Sequence, residues 1–549
     1  MLRKIVLVIC SASLLCAAFP PMSVSFFGCI ALVPLFLALE RVASKRAAFG
    51  VAYLTGLLFF ISTLQWIHYV TWPGLVLLSA YLALYVGVFG IFYHWAKTFP
   101  LAIRLWLIPA GWVVLEYIRG TALTGFGWVS LGHMFSGRSG GMSTLAQVTG
   151  VAGFSFLIVF ANVLCREAVD LVQQKSRPGR AFIAALGVVL LCLLAARIPV
   201  AVMPKKNINV AVIQGNISFK EFWNDASKPL VIDRQLELSR QALKQKPQLI
   251  VWPETAFPHF MWDHPALVDK VTAFARAHQV YLLIGAVTKE GEKYFNSAVL
   301  IGPDGNIVGT RNKRHLVLFG EYIPFRKELP FLADLVPIDD FTPGAEDAIF
   351  DVPGLGKFGV LVCFEDTIPE LARRYTQEGA EFLVNITNDA WFEDSGQLKM
   401  HLDNAQFRAY ENGRALVRAT NTGRSCIIDP SAQGPLACVQ DGVGRAQRVA
   451  GFAVASIGRE TRQTFYTKYG DVFTGLCFLG ILSFMLSLRM LLSILLWTIR
   501  LIPTWLYFLK VRVWAWLLYA FSRKPERQAI ESLTVAYGDT MPLVEKKRI

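Results

Sequence analysis

The chain alternates between two hydrophobic regimes. Long apolar runs, separated by short polar punctuation, occupy 5–20, 24–40, 48–69, 74–96, 101–118, 144–165 and 181–203, with one more at 472–488. A helix needs about 20 apolar residues to cross a bilayer core, so these runs predict transmembrane helices, most of them before residue 204. Arg3 and Lys4 ahead of the first run give it the look of a secretory signal. Further runs follow at once, which predicts a first, uncleaved span. From about 205 to 460 the apolar runs shrink to strand length and alternate with amphipathic stretches. Strands are predicted at 209–214, 249–252, 281–285 and 297–301, and helices at 231–244 and 265–278. Alternation of this kind predicts a layered α/β fold, in a segment long enough to bury its own core.

The densest local signal lies at 358–386. Phe358, Gly359, Val360, Leu361 and Val362 read as a buried strand, and Cys363 stands at its end. A helix should follow, with Thr367 and Glu370 at capping-box spacing, Pro369 in the first turn and Gly379 past the end. Phe382, Leu383, Val384, Asn385 and Ile386 then complete a strand–helix–strand unit. A cysteine in such a strand is ordinarily a buried packing residue. Parallel sheets, however, bind ligands beyond the carboxyl ends of their strands, where Cys363 sits with Glu365 and Asp366 close behind.

Composition supports the split. Of 549 residues 54% are hydrophobic and 17% charged, and mean hydropathy is +0.44. Soluble chains usually hold roughly 45–50% apolar residues. The net charge of +14 raises the question of a nucleic-acid partner. The basic residues cluster instead in short loops between apolar runs, and no RNA- or DNA-binding motif is present. Arg3 and Lys4, then Arg41, Lys45 and Arg46, then Lys97 and Arg104, then Arg166, Lys175, Arg177 and Arg180 fall on alternate connections. The intervening loops hold little beyond Arg119 and Arg138. The positive-inside rule therefore puts the N-terminus in the cytoplasm and the α/β segment outside it. The expected organisation is a membrane domain of about seven helices at 1–204, an extracytoplasmic α/β domain at 205–460, a last span within 461–489, and a basic, apolar extension at 490–549. Arg500, Lys510 and Arg512 punctuate that extension, which fits interfacial helices or extra spans with a polar, disordered end. The loop 121–143, with Phe126, Trp128, His133, Met134 and Phe135, reads as a connecting loop or a lid.

The nine cysteines show no metal spacing. Cys10, Cys16, Cys29, Cys165, Cys192 and Cys477 lie in apolar runs and read as packing residues. Cys426 and Cys438 flank a turn at 429–434. They read as a disulfide in an oxidising compartment or as two unpaired strand thiols.

Three separated segments each offer a residue that cysteine acyl transfer needs. Glu254 follows a predicted strand and can serve as general base. Lys313 can stabilise a tetrahedral oxyanion. Cys363 can be the nucleophile if a base and a cation adjoin it, since a free thiol has a pKa of about 8.5. Taken singly, Glu254 is an ordinary loop carboxylate and Lys313 an ordinary surface lysine. His315 offers a rival Cys–His pairing.

Several stretches carry a resemblance. They are Gln214-Gly215-Asn216-Ile217 running to Trp223, Trp252-Pro253-Glu254, Lys313-Arg314-His315-Leu316-Val317 and Phe319-Gly320-Glu321-Tyr322-Ile323-Pro324. Cys363-Phe364-Glu365, Asn388-Asp389-Ala390-Trp391-Phe392 and Arg418-Ala419-Thr420-Asn421-Thr422-Gly423 follow. In this order they resemble the nitrilase superfamily of carbon–nitrogen hydrolases. Apolar spans on both sides narrow the resemblance to its membrane-embedded branch, the apolipoprotein N-acyltransferases. Leu318 and Phe364 depart from the Pro and Tyr usual in that family. Phe364 offers no hydroxyl there.

The resemblance implies an α-β-β-α sandwich beside a multi-span helical domain, with Glu254 as base, Lys313 as oxyanion lysine and Cys363 as nucleophile. It implies supporting roles for Glu321 and Glu365, and a lipid-facing place for Trp223. The implied activity moves an acyl chain from a phospholipid, with phosphatidylethanolamine the expected donor, through a cysteine thioester. The acceptor is the N-terminal amine of S-diacylglyceryl-cysteine in an apolipoprotein. No cofactor, metal or nucleic acid is implied, and the expected location is the bacterial inner membrane with a periplasmic site. A membrane-tethered hydrolase and an inactive lipid-binding or transport protein are the alternatives.

Overall fold

In a computed structural model, which describes residues 2–136, 141–175, 177–195, 207–218, 221, 228–323, 326, 340–345, 349–431, 434–501 and 512–517, the long apolar runs are helical. They form α1 (Leu2–Ala18), α2 (Val33–Glu40), α3 (Lys45–Thr63), α4 (Trp72–Ala96), α5 (Leu101–Thr121), α6 (Gly141–Gln173) and α7 (Arg180–Ala195). Ser44 starts α3, its hydroxyl accepting the Ala47 N–H at 3.2 Å. Among the described residues five stretches are long and apolar enough to cross a bilayer: Lys45–Thr63, Trp72–Ala96, Leu101–Thr121, Ser143–Gln173 and Val472–Leu491. The expected extension at 490–549 and Trp223 lie largely or wholly outside the described residues.

The run at 24–40 is not one continuous helix. Ser25–Cys29 forms a 3-10 turn and only α2 is α-helical. Pro34 in the first turn of α2 has no N–H to give and clashes with a preceding helical turn. The freed backbone groups find a partner in Asn162 of α6. Its carboxamide accepts from Leu32 N at 2.7 Å and donates to Gly28 O at 2.8 Å. Irregular backbone at membrane depth needs such internal satisfaction.

The second regime folds as two sheets. Its strands are β1 (Asn207–Gln214), β2 (Leu249–Val251), β3 (Phe257–Phe260), β4 (Tyr281–Glu290), β5 (Lys293–Ile301), β6 (Ile307–Asn312), β7 (Ile349–Val352), β8 (Gly356–Val362), β9 (Phe382–Thr387), β10 (Ala415–Thr420), β11 (Cys426–Ile428), β12 (Pro435–Cys438) and β13 (Gly451–Gly458). The helices between them are α8 (Lys228–Ala242), α9 (Pro265–His278), α10 (Pro369–Gln377) and α11 (Gln397–Asn412). One sheet runs β13-β1-β2-β4-β5-β6 with β3 beside β4, the other β12-β11-β10-β9-β8-β7. Val210, Val212 and Leu300 of the first pack against Val360, Val384 and Val417 of the second. α8 and α9 cover the outer face of the first sheet, and α10 and α11 that of the second. This is the expected α-β-β-α sandwich beside a helical domain. β8, β9 and β10 are parallel, so β8–α10–β9 is the predicted crossover unit.

The start of that crossover differs from the sequence reading. Cys363–Thr367 forms a 3-10 turn, and α10 begins at Pro369 with Ile368, not Thr367, at its cap. The Thr367 hydroxyl donates to Phe364 O at 2.8 Å, and the Glu365 carboxylate turns back to accept Val362 N at 2.8 Å. Those bonds hold the chain in a tight turn before the α-helix can start.

α11 is buried at every residue but Lys399 although its sequence is largely polar. One side faces the second sheet and the other meets α6. There α6 breaks at Gly150, with φ of +62°, and a Cβ at that position would come 2.7 Å from the Tyr466 ring. Only glycine takes that backbone freely and leaves that space. The break turns the Val151 N–H toward Glu411 of α11, which accepts it at 3.1 Å. On the far edge, Cys426 and Cys438 face each other across β11 and β12 and form a disulfide with Cα atoms 4.1 Å apart.

Candidate active site

Several separate chain segments converge on Cys363. β8 ends at Val362, and the next residue takes a left-handed backbone, φ +56°, which a side chain adopts only under constraint. The constraint comes from Asn385 in β9, whose amide donates to Leu361 O and Cys363 O, each at 3.1 Å. Cys363 keeps some exposure, which leaves an approach for a substrate, while its thiol faces inward.

The structure brings Glu254, Lys313, Cys363, Glu321 and Glu365 together. Glu254, on the turn after β2, is a hydrogen-bond neighbour of the thiol. Lys313, 1% exposed, places Nζ 3.9 Å from Glu254 Oε1 and 2.8 Å from Glu321 Oε2. The same ammonium lies 5.3 Å from the centre of the Phe364 ring. Glu321 Oε2 also accepts Val317 N at 2.8 Å. Glu365 does not face the thiol as a second base. Its carboxylate accepts the N–H groups of Val362, Arg314 and His315 at 2.7 to 2.9 Å, tying the cysteine turn to the lysine segment. His315 rests its ring against Phe364, with centroids 5.5 Å apart, and donates its backbone N–H to Glu365.

Two residues that hold the candidate site together escaped the sequence reading. The Asn296 amide of β5 donates to Glu254 Oε1 at 2.7 Å and to Glu321 Oε1 at 2.9 Å, holding both carboxylates apart. Asn388 donates its backbone N–H to Glu254 Oε2 at 2.8 Å. The signal for Asn296 was a polar residue on an otherwise buried strand. Asn388 lay in a quoted segment, but no pattern gives a backbone N–H a role.

Charge states follow from this packing. Burial, with Glu254 adding to it, pushes the Cys363 thiol well up, against the pull of Lys313 and Thr387. Burial also raises Glu254, against Lys313. Burial opposes the charge on Lys313, but Cys363, Glu321 and Glu254 outweigh it and the ammonium is held. Burial thus favours the protonated thiol over a preformed thiolate. Burial lifts Glu365 to about 7 in spite of its three backbone donors.

Behind the cysteine turn lies a second cluster. His401 of α11 bridges Asp366, 2.9 Å from Nε2, and Asp389, 2.8 Å from Nδ1. Arg418 of β10 binds Asp366 and Asn385 and reaches Asp389 at 3.5 Å. Trp128 packs on the His401 ring, 5.3 Å between centroids, and Trp66 packs on both Trp128 and Phe392. The loop 121–143 is thus a seam where its residues are described: Trp128 and His133 are buried against His401 and Phe407 of α11, and Met134 is buried against Gly28 of the helical domain. Arg119 of α5 holds it by donating to Trp128 O at 2.9 Å and to Ser130 Oγ at 3.0 Å.

The cluster gives a pH prediction. Burial works against a charged His401, but Asp366 and Asp389, opposed by Arg418, lift it to about 9. A folded pKa above the unfolded value of 6.5 contributes stability that is full below 6.5 and lost as pH rises through about 9. The expected loss is on the order of 3 kcal/mol. Thermal unfolding of the detergent-solubilised protein should show that decline. His401→Gln should flatten it and lower the midpoint at pH 6; an unchanged slope would place the titration elsewhere.

Comparison with known proteins places the chain in a family. Residues 209–434 match the family model for carbon-nitrogen hydrolase, and residues 11–164 that for the apolipoprotein N-acyltransferase N-terminal domain. A solved carbon-nitrogen hydrolase from Helicobacter pylori is 22% identical, with a TM-score of 0.36, over 46% of this chain and 89% of that one. An apolipoprotein N-acyltransferase of Methylococcus capsulatus is 33% identical over 82% of this chain and 91% of its own. One from Geobacter metallireducens is 37% identical over 87% of this chain and 94% of its own. With this identity over nearly the full length of both chains, and with both domains matched in order, the chain belongs to the apolipoprotein N-acyltransferase family of acyltransferase enzymes.

Proposed function

We propose that this membrane enzyme moves an acyl group from a phospholipid to the α-amine of an S-diacylglyceryl cysteine at the N-terminus of an apolipoprotein. The observation that carries the reading is the convergence of Cys363, Glu254 and Lys313, with Asn296 and Glu321 fixing the charged pair. Glu254 takes the thiol proton as Cys363 Sγ attacks the sn-1 ester carbonyl. Lys313 bears the developing oxyanion, usually a large contribution to rate. Collapse breaks the ester C–O bond, Glu254 returns the proton to the leaving alkoxide, and a lysophospholipid departs. The acyl group remains on Cys363 as a thioester.

The acceptor amine, with a pKa of about 7.7–8.0, is partly neutral at physiological pH. It attacks the thioester carbonyl, Glu254 takes its proton, and the C–S bond breaks to give the amide. The proton then returns to Cys363. Turnover is ping-pong. Trp223 keeps its proposed lipid-facing place by resemblance.

Phosphatidylethanolamine is the proposed donor, and the inner membrane with a periplasmic site the proposed location. Two observations support that side: the alternate basic loops and the Cys426–Cys438 disulfide, a bond that persists in oxidising compartments.

Intact-protein mass spectrometry after incubation with phosphatidylethanolamine tests the reading. The expected result is one added acyl mass, discharged by a diacylated lipopeptide and stable in water. Rapid loss of the adduct in water would instead make the protein a hydrolase. No adduct on folded protein would remove the phospholipid donor.

A further inference from the structure

The cysteine site explains where the acyl carbonyl reacts but not what holds the rest of the donor. A cleft of about 450 Å³ adjoins the loop that carries Asn388. One wall comes from the α/β domain, with Asp394, Lys399, Arg424 and Gln447. The other comes from the membrane domain, with Pro20–Pro21 after α1 and Gln65 to Tyr69 after α3. It therefore opens at the level where helices give way to the α/β domain, the level of lipid headgroups.

Its charges are arranged unevenly. Lys399 is neutralised by Asp403, which it meets at 2.7 Å. Arg424 is half-buried, and its Nε donates to Gln447 Oε1 at 3.0 Å. Its terminal guanidinium nitrogens make no hydrogen bond or ion pair with the described residues. Gln447 in turn donates to Asp394 Oδ1 at 2.6 Å, which leaves Asp394 Oδ2 without a partner among the described residues. The cleft thus offers one fork of free donors and one free carboxylate oxygen, held near each other by Gln447. A phosphate suits the first, since a guanidinium matches its oxygens bidentately. An ammonium suits the second. The ligand that carries both, a short chain apart and tethered to apolar tails, is a zwitterionic phospholipid headgroup.

The cleft is also within reach of the reacting groups. Asn421 donates to Asn388 Oδ1 at 3.1 Å, and Asn388 holds Glu254. Arg424 follows Asn421 by three residues, a span of at most about 10 Å. We infer that this cleft seats the phosphoethanolamine headgroup of the acyl donor, with Arg424 on the phosphate and Asp394 on the amine. This rests on the phospholipid-donor reading above.

The test separates binding from chemistry. Full-length Cys363→Ala protein in detergent is titrated calorimetrically with dihexanoyl phosphatidylethanolamine and with dihexanoyl phosphatidylglycerol. Arg424→Gln added to it should weaken both lipids about tenfold, as loss of a charge-assisted contact does, and Arg424→Lys should restore part of the affinity. Asp394→Asn keeps the acceptor for Gln447 and should weaken only the ethanolamine lipid. Equal affinities in all variants would overturn the assignment. Competition by inorganic phosphate as effective as that by glycerophosphoethanolamine would reduce the site to a phosphate site and overturn the zwitterion. If binding behaves as expected while wild-type protein never takes an acyl mass, the donor reading fails and the cleft stands. If the acyl mass forms but no variant alters binding, the cleft fails alone.

Discussion

Cys363→Ala is expected to reduce acyl transfer to a diacylated lipopeptide by at least about 10⁴-fold, because nothing else at the site can form the covalent intermediate. Asn296, Glu254, Lys313 and Glu321 remain bound to one another in that variant, so the polar frame should survive. Alanine keeps the Cβ and meets the same left-handed backbone at φ +56°. The thermal midpoint should therefore move by only about 2 °C. Cys363→Ser is a finer probe. Its hydroxyl is harder to deprotonate than a thiol, and Glu254 must do all the work, so residual transfer at the level of the alanine variant is expected. The readouts are product mass and a melting curve taken together. Substantial transfer by a folded alanine variant would sink the thioester route.

The second large effect belongs to Lys313→Met, and it should be double. Loss of one oxyanion donor costs about 10²–10³ in turnover. Loss of the cation also leaves two carboxylates, Glu254 and Glu321, bridged only by the Asn296 amide in a buried site. Breaking a buried pair by removing one partner costs about 3–5 kcal/mol. The sign with pH follows from Glu254, which burial already raises. Without Lys313 it rises further, so the unfolded chain ionises first as pH increases and the variant is weakest in base. Melting curves should show the gap from wild type narrowing as the pH falls toward 5. A gap independent of pH would mean that packing, not charge, is lost. Glu254→Gln in the same background should restore part of the stability while transfer falls further.

Much of this site is legible in the sequence. Cys363 was marked by a buried strand ending on a nucleophilic residue, and Glu254 by a strand ending on a carboxylate. Their meeting was not legible, because spacing along a chain says nothing of distance across two sheets; the resemblance supplied it. The capping box at Thr367 and Glu370 failed because a local pattern cannot register Glu365 reaching back to Val362. The 24–40 run misled in a related way. Hydropathy does not see Pro34 stopping a helix, nor a distant Asn162 that makes the stop tolerable. His401 was invisible for a third reason. Its meaning lies in Asp366, Asp389 and Arg418, which reach it from three other elements. The loop 121–143 reads equally as a connector or a lid, and its aromatic residues suit an interface. They instead pack inward, since α11 offers them a buried partner.

α11 also bears on how this enzyme can be taken apart. An excised fragment of 207–458 would keep every proposed catalytic group, yet it would strip Phe154, His133 and Trp128 from the α11 surface they cover. Phe407 would face water, and Glu411 would lose the Val151 N–H that answers it. Such a fragment would clump or melt before it could be assayed. Grafting the hydrolase half onto a different membrane anchor meets the same obstacle, since any transplant must bring the seam with it. In this chain anchor and chemistry are inherited as a single piece.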